Sequence, residues 1–466
     1  MPTLFISTLQ ELVRALAAGT PVGRLHAAGK VLAYSALANQ AIARAVSLEG
    51  LQGQRVVLTG EPSPEFLIEL LACWQAEVLP LLVDPWTGAQ ADQLWLQQLG
   101  AVAAWHQGQW RQIGPEVSRP ALPLLHPAPD APALVLFTSG SSGEPKGVVL
   151  SHGQILANLQ AVAAGMALET PDSVGVMLPL HHSFALITQV LLTLWTGGEL
   201  HLMPAHWLPG ERLAYLQQQR LHRLAGVPTH FRLLLDDEAV QLPDLRHIKV
   251  AGAALEPGLG QRILGACPAA TLWVGYGLTE AGPRVSAIDH HDRHFATGSA
   301  GRALPGVQLK IAQGELLVRS PALMSGYLDQ PEATAAALHD GWLATGDTAC
   351  LEDGYLYILG RRDEMFLVAG EKIAPLEIEK VLLGCAGVTG AAVYGEPDPV
   401  FGHRLVALIQ GETELPALRR HARRQLPPEK RPQSWYAVNQ LPLTANGKLR
   451  RKELPQWPKQ AFTPRS

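Results

Sequence analysis

Residues 138–147 read Thr-Ser-Gly-Ser-Ser-Gly-Glu-Pro-Lys-Gly, a run of hydroxyls and glycines closed by a lysine. Apolar runs at 133–137 and 148–150 flank it and suit buried strands, so the loop sits between strands. Gly140, Gly143 and Gly147 let backbone N–H groups approach anionic oxygens. The hydroxyls of Thr138, Ser139, Ser141 and Ser142 add donors, and Lys146 adds a positive charge. Such a loop can wrap a nucleotide's polyphosphate tail. It departs from the Walker loop, in which Gly-Lys-Ser/Thr leads straight into a helix. Here Pro145 removes an N–H, and Gly147 puts no hydroxyl after the lysine to meet magnesium.

The 466 residues are 47% hydrophobic, enough for two or three domains and a large core. A formal net charge of −4 and the lack of a long basic stripe argue against nucleic acid as a partner. Residues 419–431 are locally basic, which fits a solvated helix face or a surface for an acidic carrier protein. Cys73, Cys267, Cys350 and Cys385 lack metal or redox spacing and read as reduced core thiols. No basic leader opens the sequence, and the apolar stretch 186–195 is too short to cross a bilayer. A soluble cytoplasmic protein without a membrane span is expected.

Strand and helix patterns alternate from about residue 30 to 290, which favours α/β architecture with largely parallel sheets. Strands are expected at 56–58, 78–83, 134–137, 174–178, 248–251 and 272–274. Ser151-His-Gly-Gln154 has the form of a capping box, followed by Ile155, Leu159, Val162 and Met166 at helical spacing. From about 298 to 360 short strands and tight turns, such as Asp353-Gly354, suggest a β-rich subdomain. The expected organisation is a large N-terminal α/β domain over 1–362 and a small α+β domain over 363–466.

Taken together, several motifs resemble the adenylate-forming superfamily, which includes acyl- and aryl-CoA synthetases, peptide-synthetase adenylation domains and luciferases. The resemblance spans residues 133–454. Besides the loop at 136–147, it rests on Gly275-Tyr-Gly-Leu-Thr-Glu280, Gly298-Ser-Ala-Gly-Arg-Ala-Leu-Pro-Gly306 and Asp340-Gly-Trp-Leu-Ala-Thr-Gly-Asp347. Gly360-Arg-Arg-Asp363 and Asn446-Gly-Lys448 complete it in the family's order. It implies an enzyme that joins a carboxylic acid to ATP as an acyl-adenylate, releasing pyrophosphate, after which a thiol displaces AMP. A carboxylate, with a reference pKa of about 4, is already ionised and needs no general base. It needs its charge and the phosphates' charge neutralised as they meet.

By the same resemblance, Lys146 and the loop donors hold the leaving pyrophosphate, Thr279 contacts the α-phosphate, and Glu280 binds a phosphate-bridging Mg²⁺, a hard ion suited to oxygen. Tyr276 and Gly277 lie against adenine, with Gly252, Ala253 and Ala254 along its other edge. Asp347 accepts both ribose hydroxyls and Arg361 adds a ribose contact. Lys448 bridges the α-phosphate and the incoming carboxylate. Asp363 is the hinge about which the C-terminal domain swings to exchange Lys448 for Gly370 beside a tunnel for the pantetheine thiol of CoA or an acyl carrier protein.

The acid pocket is expected around His182, Phe184, Phe231, Trp273 and Gly275, with His182 either a gate or a structural histidine. No Asp stands there for an amino-acid ammonium, which favours an acyl or aryl acid. Loading of an amino acid and non-catalytic adenylate binding are the alternatives. Gly370-Glu-Lys-Ile-Ala-Pro-Leu-Glu-Ile-Glu379 also looks more like acyl- and aryl-CoA ligases than peptide-synthetase domains. Departures from the family pattern are Ser142 in place of threonine, Ala76-Glu77 in place of Ala-Gly, and a short segment ahead of the phosphate loop.

Overall fold

The structure is a computed structural model. It describes residues 4–85, 93–106, 108–113, 128–139, 145–166, 172–237, 239–368, 371–398, 402–443 and 449–462. Among these, two large sheets dominate residues 23–327. The nine-stranded sheet has a parallel centre, in which Thr271–Val274, His247–Val250, Arg223–Gly226, Ser173–Val176, Gly198–Leu202 and Gly23–Ala27 lie side by side. Strands buried on both faces must be apolar almost throughout. Leu79–Val83, in the seven-stranded sheet, is buried at each position.

The six expected strands are present, and Pro132–Ser139 pairs antiparallel with Pro145–Ser151 on either side of the segment expected to bind phosphate. Helix His152–Gly165 starts at the expected capping box: Gln154 N–H donates to Ser151 Oγ at 3.2 Å, and Ser151 N–H to Gln154 Oε1 at 2.8 Å. The apolar stretch after residue 183 is helical but not uniformly α. A π-helical segment, Leu186–Leu191, lies inside it, and Thr188 and Thr193 bond back to the carbonyls of Phe184 and Gln189. No described helix is long and apolar enough to cross a membrane.

A five-stranded antiparallel sheet occupies residues 308–361, where short strands and tight turns were expected. Asp353-Gly354 forms the turn between Trp342–Glu352 and Tyr355–Arg361, both residues at positive φ. Beyond the short turn Arg362–Glu364 the chain forms a separate four-stranded sheet with helices Pro375–Leu383 and Leu415–Gln425. The whole is a mixed α/β protein with a large N-terminal part and a small C-terminal one.

Candidate active site

The Thr271–Val274 strand delivers Gly275, Tyr276 and Gly277 against the chain at 283–286. A Cβ on Gly275 would stand 2.2 Å from the Ser286 carbonyl oxygen, and one on Gly277 1.7 Å from that of Pro283. Backbone approach thus requires glycine on both sides of the tyrosine. The Tyr276 carbonyl accepts from Val285 and Ser286 N–H at 3.0 and 3.1 Å, which fixes the ring's origin. Its hydroxyl donates to Asp347 Oδ2.

Asp347 is buried on Trp342–Glu352, opposite Arg361 in the antiparallel register, and Arg361 Nη1 donates to Asp347 Oδ1 at 3.3 Å. The same nitrogen reaches the Thr345 carbonyl at 3.1 Å. Burial raises the Asp347 carboxyl above its ordinary pKa, while Tyr276 and Arg361 oppose that. Burial, then the Asp347 charge, pushes the Tyr276 phenol well up, so it remains a donor. Both Asp347 oxygens, expected to face ribose hydroxyls, are therefore already engaged by protein. A carboxylate retains further lone pairs for a sugar.

Thr279 and Glu280 follow on a short 3₁₀ turn, Thr279–Ala281. Glu280 Oε1 accepts from Tyr327 OH at 3.0 Å, and Lys146 Nζ stands 5.0 Å from the centroid of the same ring. Tyr327 is thus the shared neighbour of the expected phosphate cation and the expected metal carboxylate. Thr279 Oγ1 pairs with Ser183 Oγ at 2.9 Å. Thr138 lies opposite Lys146 in the hairpin and leans toward its carbonyl, 3.5 Å away. Gly140, Ser141, Ser142, Gly143, Gly370 and Lys448 lie outside the described residues, as does the side chain of Ser139.

Gly252, Ala253 and Ala254 are exposed at the end of His247–Val250, where a flat base could approach. The expected acid-pocket residues divide between two sheet faces. Side chains alternate along each strand, and register partners share a face. Lys249 pairs with Trp273 and Ala225 with Lys249, so these residues share a face with Gly275. Phe184, in the helix covering that face, packs against the same apolar core as Trp273. Phe231 is buried in the core on the other face, with Leu224, Ile248 and Leu272, and does not meet Trp273. His182 stacks obliquely on His181 at 4.0 Å; burial lowers the His181 pKa to about 4, with Asp84 opposing.

Residues not singled out by sequence complete this face. Arg284 is buried, its guanidinium 5.1 Å from the Phe184 ring centroid and its Nη1 2.8 Å from where a Gly275 Cβ would be. Lys249 is also buried. Burial lowers the pKa of Arg284 to about 10 and that of Lys249 well below its ordinary value, the latter helped by the charges of Arg284 and Arg223.

Asp363 stands in the turn leaving the large part and accepts from Arg361 Nε at 3.3 Å. Among the described residues, His26, Glu199 and His201 form a three-residue cluster with metal-ligand chemistry, at the far edge of the nine-stranded sheet. The two rings stack 4.1 Å apart at 6°, a geometry that cannot aim both ring lone pairs at one ion.

The profile of the AMP-binding enzyme family matches residues 14–328, and that of the AMP-binding enzyme C-terminal domain matches residues 377–448. A feruloyl-CoA synthase from Amycolatopsis sp is 31% identical over 468 residues, covering 91% of this chain and 94% of that protein. A sulfoacetate–CoA ligase from Cupriavidus necator is 32% identical over 481 residues, covering 91% and 92%. Among solved structures, o-succinylbenzoate CoA synthetase from Bacillus subtilis, bound to its acyl-adenylate intermediate, superposes with a TM-score of 0.82 at 22% identity. That superposition covers 97% of this chain and 99% of that one, and it speaks for the fold.

Proposed function

Because this chain belongs to the AMP-binding enzyme family, we propose that the cleft described above joins a carboxylic acid to ATP and passes the acyl group to a thiol. The protein is an AMP-forming acid–thiol ligase. The acid's oxygen attacks the α-phosphorus and pyrophosphate leaves; the thiol sulfur then attacks the acyl carbon and AMP leaves. The observation that carries this is the convergence of Lys146 and Glu280 on Tyr327, with the Tyr276–Asp347–Arg361 network as the second polar cluster.

In this reading Lys146 draws charge from the departing diphosphate and Thr279 donates to the α-phosphate. Tyr276 backs the adenine, while Asp347 and Arg361 take the ribose. Glu280 is the residue that would hold Mg²⁺, which would supply charge neutralisation between phosphate oxygens; its carboxylate is the hard ligand such an ion prefers. An o-succinylbenzoate CoA synthetase with this fold has been solved with ATP and a magnesium ion. Lys448 guides the acid in the first step, and rotation about Asp363 brings Gly370 toward the thiol for the second.

CoA is the acceptor named in the relatives, which act on feruloyl and sulfoacetate acyl groups. A carrier protein is the second reading, favoured by exposed Arg419, Arg420, Arg423 and Arg424 on helix Leu415–Gln425. The free cysteines suit the cytoplasm. The test is pyrophosphate exchange across a broad acid panel with magnesium, followed by AMP release on adding CoA or an acyl carrier protein. Acid-dependent exchange, with the mixed anhydride seen by mass spectrometry, is the expected result. No exchange with any acid would remove the proposal.

A further inference from the structure

Two cations with little exposure among the described residues are paired with acids. Arg223 meets Asp172, and Arg451 meets Glu379 and Glu364. Arg284 and Lys249 are as deeply buried, yet among the described residues no carboxylate pairs with either and Arg284 Nη2 has no hydrogen-bond partner. An unpaired buried cation is among the costliest arrangements a fold can keep, so these two call for an anion.

Their position says which anion. The guanidinium of Arg284 lies over Gly275, against the face of Phe184, on the sheet face that also carries Trp273 and Lys249. Trp273 Nε1 is buried there with no acceptor among the described residues. A planar donor fork, an indole N–H and the Lys249 amine thus share the face that carries Trp273, Gly275 and Phe184, three of the five expected acid-pocket residues. We propose that the acid activated here carries a second anionic group, a carboxylate or sulfonate remote from the reacting carboxylate, which Arg284 receives with Trp273 and Lys249 in support.

This rests on the ligase reading of the same cleft and narrows it to a substrate class. A guanidinium matches a carboxylate or sulfonate by its geometry. The Arg284 guanidinium repels an ammonium, which disfavours free amino acids on charge as well as on the missing Asp.

The test is acid-dependent pyrophosphate exchange with matched acids: glutarate and 4-sulfobutyrate against pentanoate, and 4-carboxycinnamate against cinnamate. At least one anionic acid should exceed its neutral partner about 100-fold in kcat/KM, the scale expected for a desolvated charge pair. Arg284→Met should bring that ratio below about 10-fold by lowering turnover of the anionic acid alone, without lowering the thermal midpoint, because an unpaired buried charge is removed. Equal losses for both acids would mean that Arg284 holds the reacting carboxylate, and would overturn the proposal. So would a wild-type preference for the neutral acids, which decides the matter even if Arg284→Met does not fold. Exchange with neutral acids alone sinks this inference and leaves the ligase intact, whereas exchange with no acid sinks both.

Discussion

The large part, up to Arg361, and the part from Asp363 onward are stabilised by different means. In the first, two sheets enclose aliphatic cores, and His152 and His201 are buried there. In the second, smaller apolar cores surround a charged centre. Arg451 grips Glu379 through two bonds of 2.7 and 2.8 Å and approaches Glu364 at 2.7 Å. Apolar contact is non-directional and says only that elements stay together, whereas a bidentate ion pair fixes their geometry. Arg451 lies shortly after Lys448, and Glu364 directly follows Asp363. The cluster therefore ties the base of the proposed catalytic lysine's segment to the proposed hinge, so a turn at 363 carries the anchor of Lys448 with it.

The most damaging way to break this contrast is Arg451→Ala, which leaves Glu379 buried and uncompensated. Removing one partner of a buried pair costs about 3–5 kcal/mol, and the loss should fall on the C-terminal part alone. Hydrogen exchange should show faster exchange across residues 371–462 with the sheets of the large part still protected. Uniform loosening of the whole chain would contradict the contrast. Next in size is Lys448→Ala. Deleting one preorganised donor should slow adenylate formation by about 100- to 1,000-fold while thioester formation from supplied acyl-adenylate stays near normal. Equal damage to both half-reactions would remove the role given to Lys448.

Acid should separate the parts in the opposite sense. His152 is buried, its Nδ1 accepting from Leu9 N–H at 3.2 Å, and burial lowers its pKa from 6.5 to about 4. The unfolded chain therefore takes the proton first. The stability from keeping this ring neutral is complete above pH 6.5 and is lost as pH falls through 4. The shift corresponds to about 3 kcal/mol for this group. His181 and His230, partly buried, are lowered to about 4 and act in the same direction. Denaturant melts at pH 7 and 5 should show the large part weakening, and His152→Gln should flatten that dependence.

Local signals made much of this molecule legible in advance. Apolar runs marked the strands, and Ser151 and Gln154 marked a helix start. Partners joined only by the fold were invisible. Tyr327 is 47 positions from Glu280, and Arg451 is 72 from Glu379, with no periodic pattern linking either pair. Phe231 packs in the core with Leu224, Ile248 and Leu272, while Trp273 packs with the other core, a division that only the register of three strands and the packing of helix Pro228–Leu234 make visible. Arg284 reads as an ordinary charged residue until its burial is seen.

The smallest expected effect on stability is the sharpest probe of how the two parts are joined. Polar contacts span the junction: Arg362 pairs with Glu315, and Lys380 Nζ donates to the Ile358 carbonyl at 2.7 Å. Arg362 is half exposed, and exposed pairs contribute about 0–1 kcal/mol, so Arg362→Ala should leave the melting temperature almost unchanged. It touches neither Asp347 nor Tyr327, so nucleotide affinity should hold. Yet if Asp363 turns between half-reactions, a contact made in one orientation and absent from the other biases their populations even when it is weak. The balance between adenylate formation and thioester formation should therefore shift by about 2- to 5-fold, the equivalent of a fraction of a kcal/mol. Measured separately in single-turnover experiments, the two steps should move in opposite directions. If both rates stay at wild-type values, the Arg362–Glu315 pair does not distinguish two orientations, and the junction at Asp363 loses its support as a hinge.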